Sequence, residues 1–347
     1  MTFDAHIHVP PGIGFGGASI GNLRREISDA EAYAAVDRAW ERGIRYFDTA
    51  PHYGLGLSER RLGAALAERP REDYVLSTKV GRLLKPRDLP LEKDDDGFAV
   101  PGDLRRVWDF SLAGVRRSLE ESLARLGMDH VDVLYAHDPD QASPRAAREG
   151  LAALGELKRE GLVTSIGVGT NSVAGLEELV AEGLIDVLML ANRWTLLDHA
   201  DALPIMSAAT RTGTAVVTAG VFNTGLLATP RPRHDAHFDY GQASASLVAR
   251  THLLADVCEE HGVELPTAAI AFGSIQPCVA NVVLGMRSAP DVDTNMDRFG
   301  QRVPADLWRA LIAAELIDER AVPATSRENE RADIMEEQPT VESAEEY

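Results

Sequence analysis

The 347-residue chain is 45% hydrophobic, enough to bury either one large α/β barrel or two smaller domains. Its formal charge of −19 argues against nucleic acid or an anionic membrane as partner, since both are bound through basic patches. Only Cys258 and Cys278 occur, which excludes a disulfide framework and suits a reducing, cytoplasmic setting; no apolar run approaches the ~18 residues of a spanning helix and no charged-then-apolar leader opens the chain, so neither a membrane span nor secretion is expected.

The first patterned segment is Asp4-Ala5-His6-Ile7-His8. A His-x-His pair puts both imidazoles on one strand face, as metal-dependent amidohydrolase barrels do, but such a site needs further histidines and an aspartate on later strands. The strand ends here offer no such set, so the segment reads as an arm preceding the fold and no metal is expected. Strands are then predicted at 13–16, 46–48, 75–79, 131–137, 165–169, 187–192, 215–219 and 282–285, each a short apolar run bounded by turn residues. Helices fall between them. Ser28 with Glu31 forms a capping box, Ser143-Pro144 opens a helix that Gly161 closes, and Gly183, Gly213 and Gly262 follow other periodic runs. From Ser111 to Leu126, Leu112, Val115, Leu119, Leu123 and Leu126 share one stripe, with Arg and Glu opposite. Eight strand–helix alternations without a break in composition predict a single parallel (β/α)8 barrel over 1–317.

Two stretches stand outside that pattern. Residues 81–106 are rich in Pro, Gly and charge and are expected to form a long irregular loop at the active site. Residues 318–347 carry ten acidic and three basic side chains with little apolar periodicity, and read as a disordered acidic tail.

In a barrel of this kind, side chains at the C-terminal ends of the strands converge on one face. The polar residues there are Asp48, Lys79, His137 and Asn171, and Tyr53 follows the second strand by a few residues. Singly, each has an ordinary reading: Asp48 as a helix cap or a partner of Arg45, Lys79 as a surface lysine, His137 as part of the turn before Asp138-Pro139. Together they place three ionisable groups of complementary kinds on three consecutive strands. A phenol titrates near ~10 and moves protons at neutral pH only beside a cation. An Asp, a Tyr and a Lys so placed suit proton transfer to or from a carbonyl or alcohol oxygen.

The segment DTAPHYGLGLSE from Asp48, the Ser-Thr-Lys ending at Lys79, the strand ending at His137 and the IGVGTN stretch from Ile166 resemble the aldo-keto reductase superfamily over nearly the whole barrel. The resemblance implies a catalytic tetrad: Tyr53 as general acid–base, Lys79 lowering its pKa, Asp48 paired with Lys79, and His137 orienting the substrate oxygen. It also implies a nicotinamide cofactor, with Gly16 and Gly17 leaving room at the barrel mouth and Asn171 holding the carboxamide. The loop of Phe222, Asn223, Gly225 and Leu226 would wrap the pyrophosphate, and Arg287, Ser288, Asp291 and Asn295 would form the adenosine-phosphate segment. Two departures from the family pattern are Gly169-Thr170-Asn171 in place of Ser-Asn, and Ala219 where many members have a tyrosine stacked on the nicotinamide. Asp291 falls where NADP-dependent relatives tend to place an arginine, and a carboxylate there favours a free ribose 2′-hydroxyl, so NAD is expected over NADP.

Longer stretches, among them FDTAPHYGLGLSERRLGAAL, ANRWTLLD and GVFNTGLLA, resemble the D-threo-aldose 1-dehydrogenase group, which includes L-fucose, L-galactose and pyridoxal 4-dehydrogenase types. The implied substrate is a small sugar or aldehyde presenting a cyclic hemiacetal, oxidised to a lactone. His52, Trp194, the 81–106 loop and residues 230–240 are the candidate pocket lining, with Trp194 equally readable as a plain core aromatic. A general aldehyde or ketone reductase of the same family is the nearest alternative, and a non-enzymatic cofactor-binding subunit a remoter one, since the tetrad is complete. The sequence carries no reading of oligomeric state.

Overall fold

The computed structural model describes residues 9–328 apart from His234, Asp239 and Tyr240. The His6–His8 pair and the tail beyond 328 lie outside the described residues. Eight parallel strands close into a barrel in chain order: Gly12–Gly16, Tyr46–Asp48, Val75–Val80, Val133–His137, Ser165–Thr170, Val187–Ala191, Ala215–Ala219 and Val279–Gly285. The last strand pairs with the first from Gly12↔Asn281 to Gly16↔Gly285, which seals the cylinder. The predicted strands are thus all present, with ends moved by a few residues.

The interior of the cylinder is a packed core of its own. Tyr46, Val133, Tyr135, Val187, Met189, Val217 and Val283 point inward and fill it, and Val9 packs among them from the arm before the first strand. The outer core lies between strands and helices, where Leu62, Leu66, Val115, Leu119, Leu154 and Leu157 are buried. Each such side chain contributes roughly 1.5–3 kcal/mol on leaving water. Helix ends follow the sequence signals. Ser28 and Glu31 make the reciprocal capping box of helix Asp29–Glu41, and Ser111 caps helix Leu112–Leu126, which ends on Gly127 in the left-handed region. Of the predicted stripe on that helix, Val115, Leu119 and Leu126 are buried, whereas Leu112 is 43% exposed because it sits in the first turn. No helix among the described residues is long and apolar enough to cross a membrane.

Two expectations are corrected. The stretch 81–106 is a β-hairpin in place of an irregular loop: Arg82–Leu91 pairs antiparallel with Gly102–Trp108, in register from Arg82↔Trp108 to Pro86↔Leu104. Pro and charge hid it, because in a two-stranded ribbon both strands are edges and a proline costs little there. A lone hairpin is marginal in water. This one is held by Leu83, Phe98 and Val100, all buried, and by its tip folding back on the first loop through Ala99 N–H to Asn22 O at 2.8 Å. The second correction concerns the tail. Residues 318–328 continue the fold through a 3-10 turn at Glu319–Ala321 and a short helix at Ala324–Glu328, because Ala321 and Val322 are buried and the Asp318 amide donates to His199 Nε2 at 3.0 Å.

Candidate active site

The parallel register brings Gly16, Asp48 and Ser77 level with one another at the C-terminal face of the first three strands. Asp48 ends the second strand and Lys79 lies two residues further along the third, so its side chain reaches back across the barrel interior. Its Nζ donates to both carboxylate oxygens of Asp48, at 2.8 and 2.6 Å, and to Thr49 O at 3.0 Å. Ser77 Oγ donates to the same carboxylate at 2.7 Å. Both ionised groups are buried. Burial pushes the Asp48 carboxyl upward, against the pull of Lys79 and Ser77. Burial also works against the Lys79 ammonium, yet Asp48 and then Tyr53 outweigh it and hold the lysine above its ordinary range. With both carboxylate oxygens taken by the ammonium, the ionised pair is the state this geometry supports.

Tyr53 comes from the turn after the second strand. The Tyr53 amide donates to Ala50 O at 3.1 Å and Ser58 N–H to Tyr53 O at 3.2 Å, which ties the turn to helix Leu57–Leu66. The turn lies backbone to backbone on the first loop. At Gly54, φ is +62° and a Cβ would stand 2.2 Å from Gly21 O, so only glycine allows the approach. The phenol is within hydrogen-bonding and Coulombic reach of Lys79, and Nζ lies 4.7 Å from the ring centroid. The ammonium thereby stabilises the charge left on the phenol oxygen when it gives up its proton.

Two imidazoles border the phenol. His137, at the end of the fourth strand, stands edge-on to the Tyr53 ring at 5.9 Å, and His52 lies 5.9 Å from Tyr53 and 5.5 Å from His137. Both are held neutral. Burial, then Arg82, push each well below the ordinary histidine value, with Lys79 and Arg106 adding to the effect. His137 Nδ1 is buried with no protein partner among the described residues, and its Nε2 is 3.5 Å from Asp138 Oδ2.

The hairpin roofs this group. Phe98 packs on Tyr53 at 6.2 Å and on His52 at 5.2 Å. Arg106 donates to His52 O at 2.9 Å and to both oxygens of Asp94 at 2.6 and 3.0 Å. Arg82 pairs with Asp138 and lies over the Trp108 ring at 4.4 Å. None of Arg82, Phe98, Arg106 and Asp138 stands out in the sequence. Their one signal is that three of them fall inside the stretch singled out as covering the mouth. Asp138 adopts φ 41° and ψ 52°, a left-handed conformation that aspartate tolerates better than most residues.

The residues expected to hold a cofactor are distributed as follows. At Gly17 a Cβ would meet Ser58 Oγ at 2.6 Å and Asp48 O at 2.7 Å, and at Gly16 it would meet Leu284 O at 3.0 Å. Their glycine character therefore also serves the packing of the chain on itself. Asn171 is half-buried at the end of the fifth strand, its carbonyl bound by Arg193 Nε at 2.7 Å. In the loop after the seventh strand, Gly220, Asn223, Thr224 and Gly225 all have positive φ. Asn223 Nδ2 donates to Asn192 O at 3.2 Å while its buried Oδ1 lacks a partner among the described residues. Leu226 is fully buried and Phe222 half-buried. After the eighth strand, Ser288 caps helix Ala289–Phe299, Asn295 is buried, and Asp291 accepts the Arg287 amide at 3.1 Å. The Arg287 guanidinium is pushed below its usual value by burial, then by Arg25, with Arg24 adding to this and Asp291 opposing it. What fits an anionic cofactor here is the group of guanidiniums of Arg24, Arg25 and Arg287 beside the start of helix Ala289–Phe299, whereas the Asn223 oxygen is an acceptor that suits a donor group.

Trp194 is not part of the mouth. It is fully buried, stacked on Phe272 at 5.5 Å, and belongs to the outer core. An aromatic in a long loop looks the same in sequence whichever way it points. Of residues 230–240, His237–Phe238 forms a two-residue ladder with Gly241–Gln242, while His234, Asp239 and Tyr240 lie outside the described residues. Among the described residues no group of three or more His, Cys, Asp or Glu side chains is arranged to hold a metal.

The chain matches the aldo/keto reductase family over residues 12–314. It is 44% identical to a D-threo-aldose 1-dehydrogenase from Pseudomonas sp, with 88% of this chain and 94% of that protein covered. A pyridoxal 4-dehydrogenase from Microbacterium luteolum is 36% identical over the same shares, 88% and 94%. Among solved structures, an aldo-keto reductase from Bacillus halodurans in its holo form superposes with a TM-score of 0.69 at 26% identity, covering 91% of this chain and 95% of that one.

Proposed function

Because the chain belongs to the aldo/keto reductase family and is thereby an NAD(P)-dependent oxidoreductase, we propose that it oxidises the ring carbon of a cyclic hemiacetal, such as an aldose at C1 or pyridoxal, to a lactone, with NAD as the preferred acceptor. The observation that carries the reading is the Tyr53 phenol held beside a lysine ammonium that is itself locked to Asp48. When bound, the nicotinamide cofactor supplies the hydride acceptor. Asn171, the 222–226 loop and the segment Arg287, Ser288 and Asn295 are the residues that would hold it.

Tyr53 takes the proton of the hemiacetal hydroxyl. As that oxygen becomes the lactone carbonyl, Lys79 supports the phenolate before transfer and Asp48 keeps the lysine charged and pointed. His137, neutral at working pH, orients the reacting oxygen by hydrogen bonding without competing for the proton. Such acid–base assistance contributes about 10²- to 10⁴-fold. Expulsion of water by Phe98 and the hairpin strengthens each of these interactions.

NAD is favoured because a carboxylate at Asp291 repels a ribose 2′-phosphate. The second reading, NADP, rests on the charges of Arg24 and Arg25 beside Arg287. Initial-rate measurements at mildly alkaline pH, with L-fucose, L-galactose, D-arabinose and pyridoxal against each dinucleotide, test both. Turnover with at least one of these substrates and a higher kcat/KM with NAD is expected. Absence of turnover across the panel overturns the reaction, and a clearly higher kcat/KM with NADP overturns the cofactor choice alone.

A further inference from the structure

Beside the phenol lies a second set of polar side chains that the proton transfer does not use, with Arg82 buried and His52, Arg106 and Asp138 half-buried. Arg82, the first residue of the hairpin, divides its guanidinium between two walls of the mouth. Nη2 pairs with Asp138 and donates to Gln141 Oε1 at 3.3 Å, while Nη1 faces His52 Nδ1 at 3.4 Å. Trp108 stacks beneath the guanidinium plane and keeps it from swinging out. A guanidinium has donors only and stays charged, so the imidazole nitrogen it faces must be an acceptor. The His52 proton is then on Nε2, and the ring's one hydrogen-bonding contact among the described residues is the one Nδ1 makes with Arg82. The backbone of His52 is pinned independently by Arg106.

We propose that Arg82 is a positioning residue that locks His52 as a neutral donor through Nε2, and that this N–H binds a ring hydroxyl of a polyhydroxylated substrate beside the carbon that Tyr53 serves. The inference rests on the hemiacetal reading above, which it deepens by assigning the group that selects sugars over simple aldehydes. The groups facing His52 are consistent with it from every side. Lys79 comes from the third strand, Arg82 and Arg106 from the two hairpin strands, His137 from the fourth strand and Tyr53 from its own turn. The nearby carboxylates are taken up elsewhere, Asp138 by Arg82 and Asp94 by Arg106. A cation fixed against Nδ1 therefore opposes a second proton on the ring.

The test has two arms. In the first, nitrogen-15 NMR of the substrate-free protein reads the His52 tautomer: the proton on Nε2 is expected, and a proton on Nδ1 overturns the proposal without any variant. In the second, Arg82→Met, Arg82→Lys, His52→Gln and the double variant Arg82→Met/His52→Gln are compared with L-fucose under saturating NAD. Arg82→Met and His52→Gln are each expected to raise KM about three- to tenfold, the worth of one neutral hydrogen bond, with kcat nearly unchanged. The double variant is expected to match Arg82→Met alone, because the contribution of His52 is already lost there, while Arg82→Met also frees Asp138. Arg82→Lys, which keeps a charged donor, is expected to recover part of the loss. Arg82→Met is also expected to move the acid limb of the KM profile upward, because one of the charges that oppose a proton on His52 is gone while burial, Arg106 and Lys79 remain. Unchanged KM in Arg82→Met, or effects that multiply in the double variant, overturn the proposal. If no substrate of the panel turns over, the hemiacetal reading falls, while the tautomer still reports whether Arg82 sets His52.

Discussion

His137 and His199 are both buried histidines, and burial depresses the pKa of each, yet they belong to different kinds of region. His199 has spent both nitrogens: Nδ1 donates to Thr195 O at 2.9 Å and Nε2 accepts the Asp318 amide at 3.0 Å. It straps the loop after the sixth strand to the start of the C-terminal segment. A cavity of about 500 Å³ opens beside it, lined by Leu197, Arg250, Ile312 and Asp318 among others, but no free imidazole nitrogen faces it. Among the described residues His137 keeps a nitrogen without a partner, and it is ringed by Tyr53, His52 and the charges of Arg82 and Lys79. Burial does not separate the two; unspent hydrogen-bonding capacity among other ionisable groups does, and the role proposed for His137 rests on it.

The comparison is broken most strongly at Lys79. Lys79→Met leaves the Asp48 carboxylate buried without its cation, a loss of about 3–5 kcal/mol when one partner of a buried pair is removed. Turnover is expected to fall below detection together with the urea midpoint. A variant that melts like the parent would show that the pair is solvated and that the mouth is no more demanding than the His199 region. Tyr53→Phe comes next and separates chemistry from structure. Only a hydroxyl is lost, and the ring keeps its place against Phe98 and His52, so kcat is expected to drop about 10²- to 10⁴-fold with the melting temperature little changed. Retained kcat would remove Tyr53 from the chemistry.

How much of this was legible beforehand differs between strand ends and loops. A short apolar run between turn residues is a local pattern, and closure of the barrel needs only that eight such runs alternate with helices; Asp48, Lys79 and His137 were visible because they terminate those runs. The hairpin was not, since its partner strands are joined across a turn and its prolines and charges imitate a loop. Arg82 and Asp138 meet through a contact separated by 56 residues, which no local spacing encodes. Trp194 stayed open between pocket and core for a related reason: it stacks on Phe272, far along the chain, and a tryptophan in a loop carries no mark of which wall it faces.

At the structural end of the comparison, His199→Ala removes a donor from Thr195 O and an acceptor from the Asp318 amide. About 1–3 kcal/mol of stability is expected to go, the cost of leaving buried backbone groups unsatisfied. Because the strap lies apart from the tetrad, kcat/KM is expected to stay within twofold or so of the parent by that same argument. Thermal melts alongside initial rates read both; a large fall in kcat/KM without a shift in melting temperature would join the two regions functionally.

The smallest effect is the most discriminating, because it is one in which the two histidines should agree. His52, His137 and His199 all have folded-state values depressed by burial below the unfolded value near ~6.5. Between the folded and unfolded values the unfolded chain binds more protons, so stability rises with pH in that window. The contribution of each is therefore complete above about 6.5 and is lost as pH falls toward its folded value. Melting temperature measured from about pH 7.5 down to about pH 5 is expected to decline, and to decline less steeply in His137→Gln and in His199→Gln alike. Comparing each variant with the parent cancels the carboxylates that titrate in the same range. Only His137→Gln is expected to lose turnover as well. If one substitution flattens the pH slope and the other leaves it intact, the imidazole whose loss changes nothing binds protons in the folded protein just as it does in the unfolded chain; were that His137, the depressed value that keeps it neutral at the mouth would have to be abandoned.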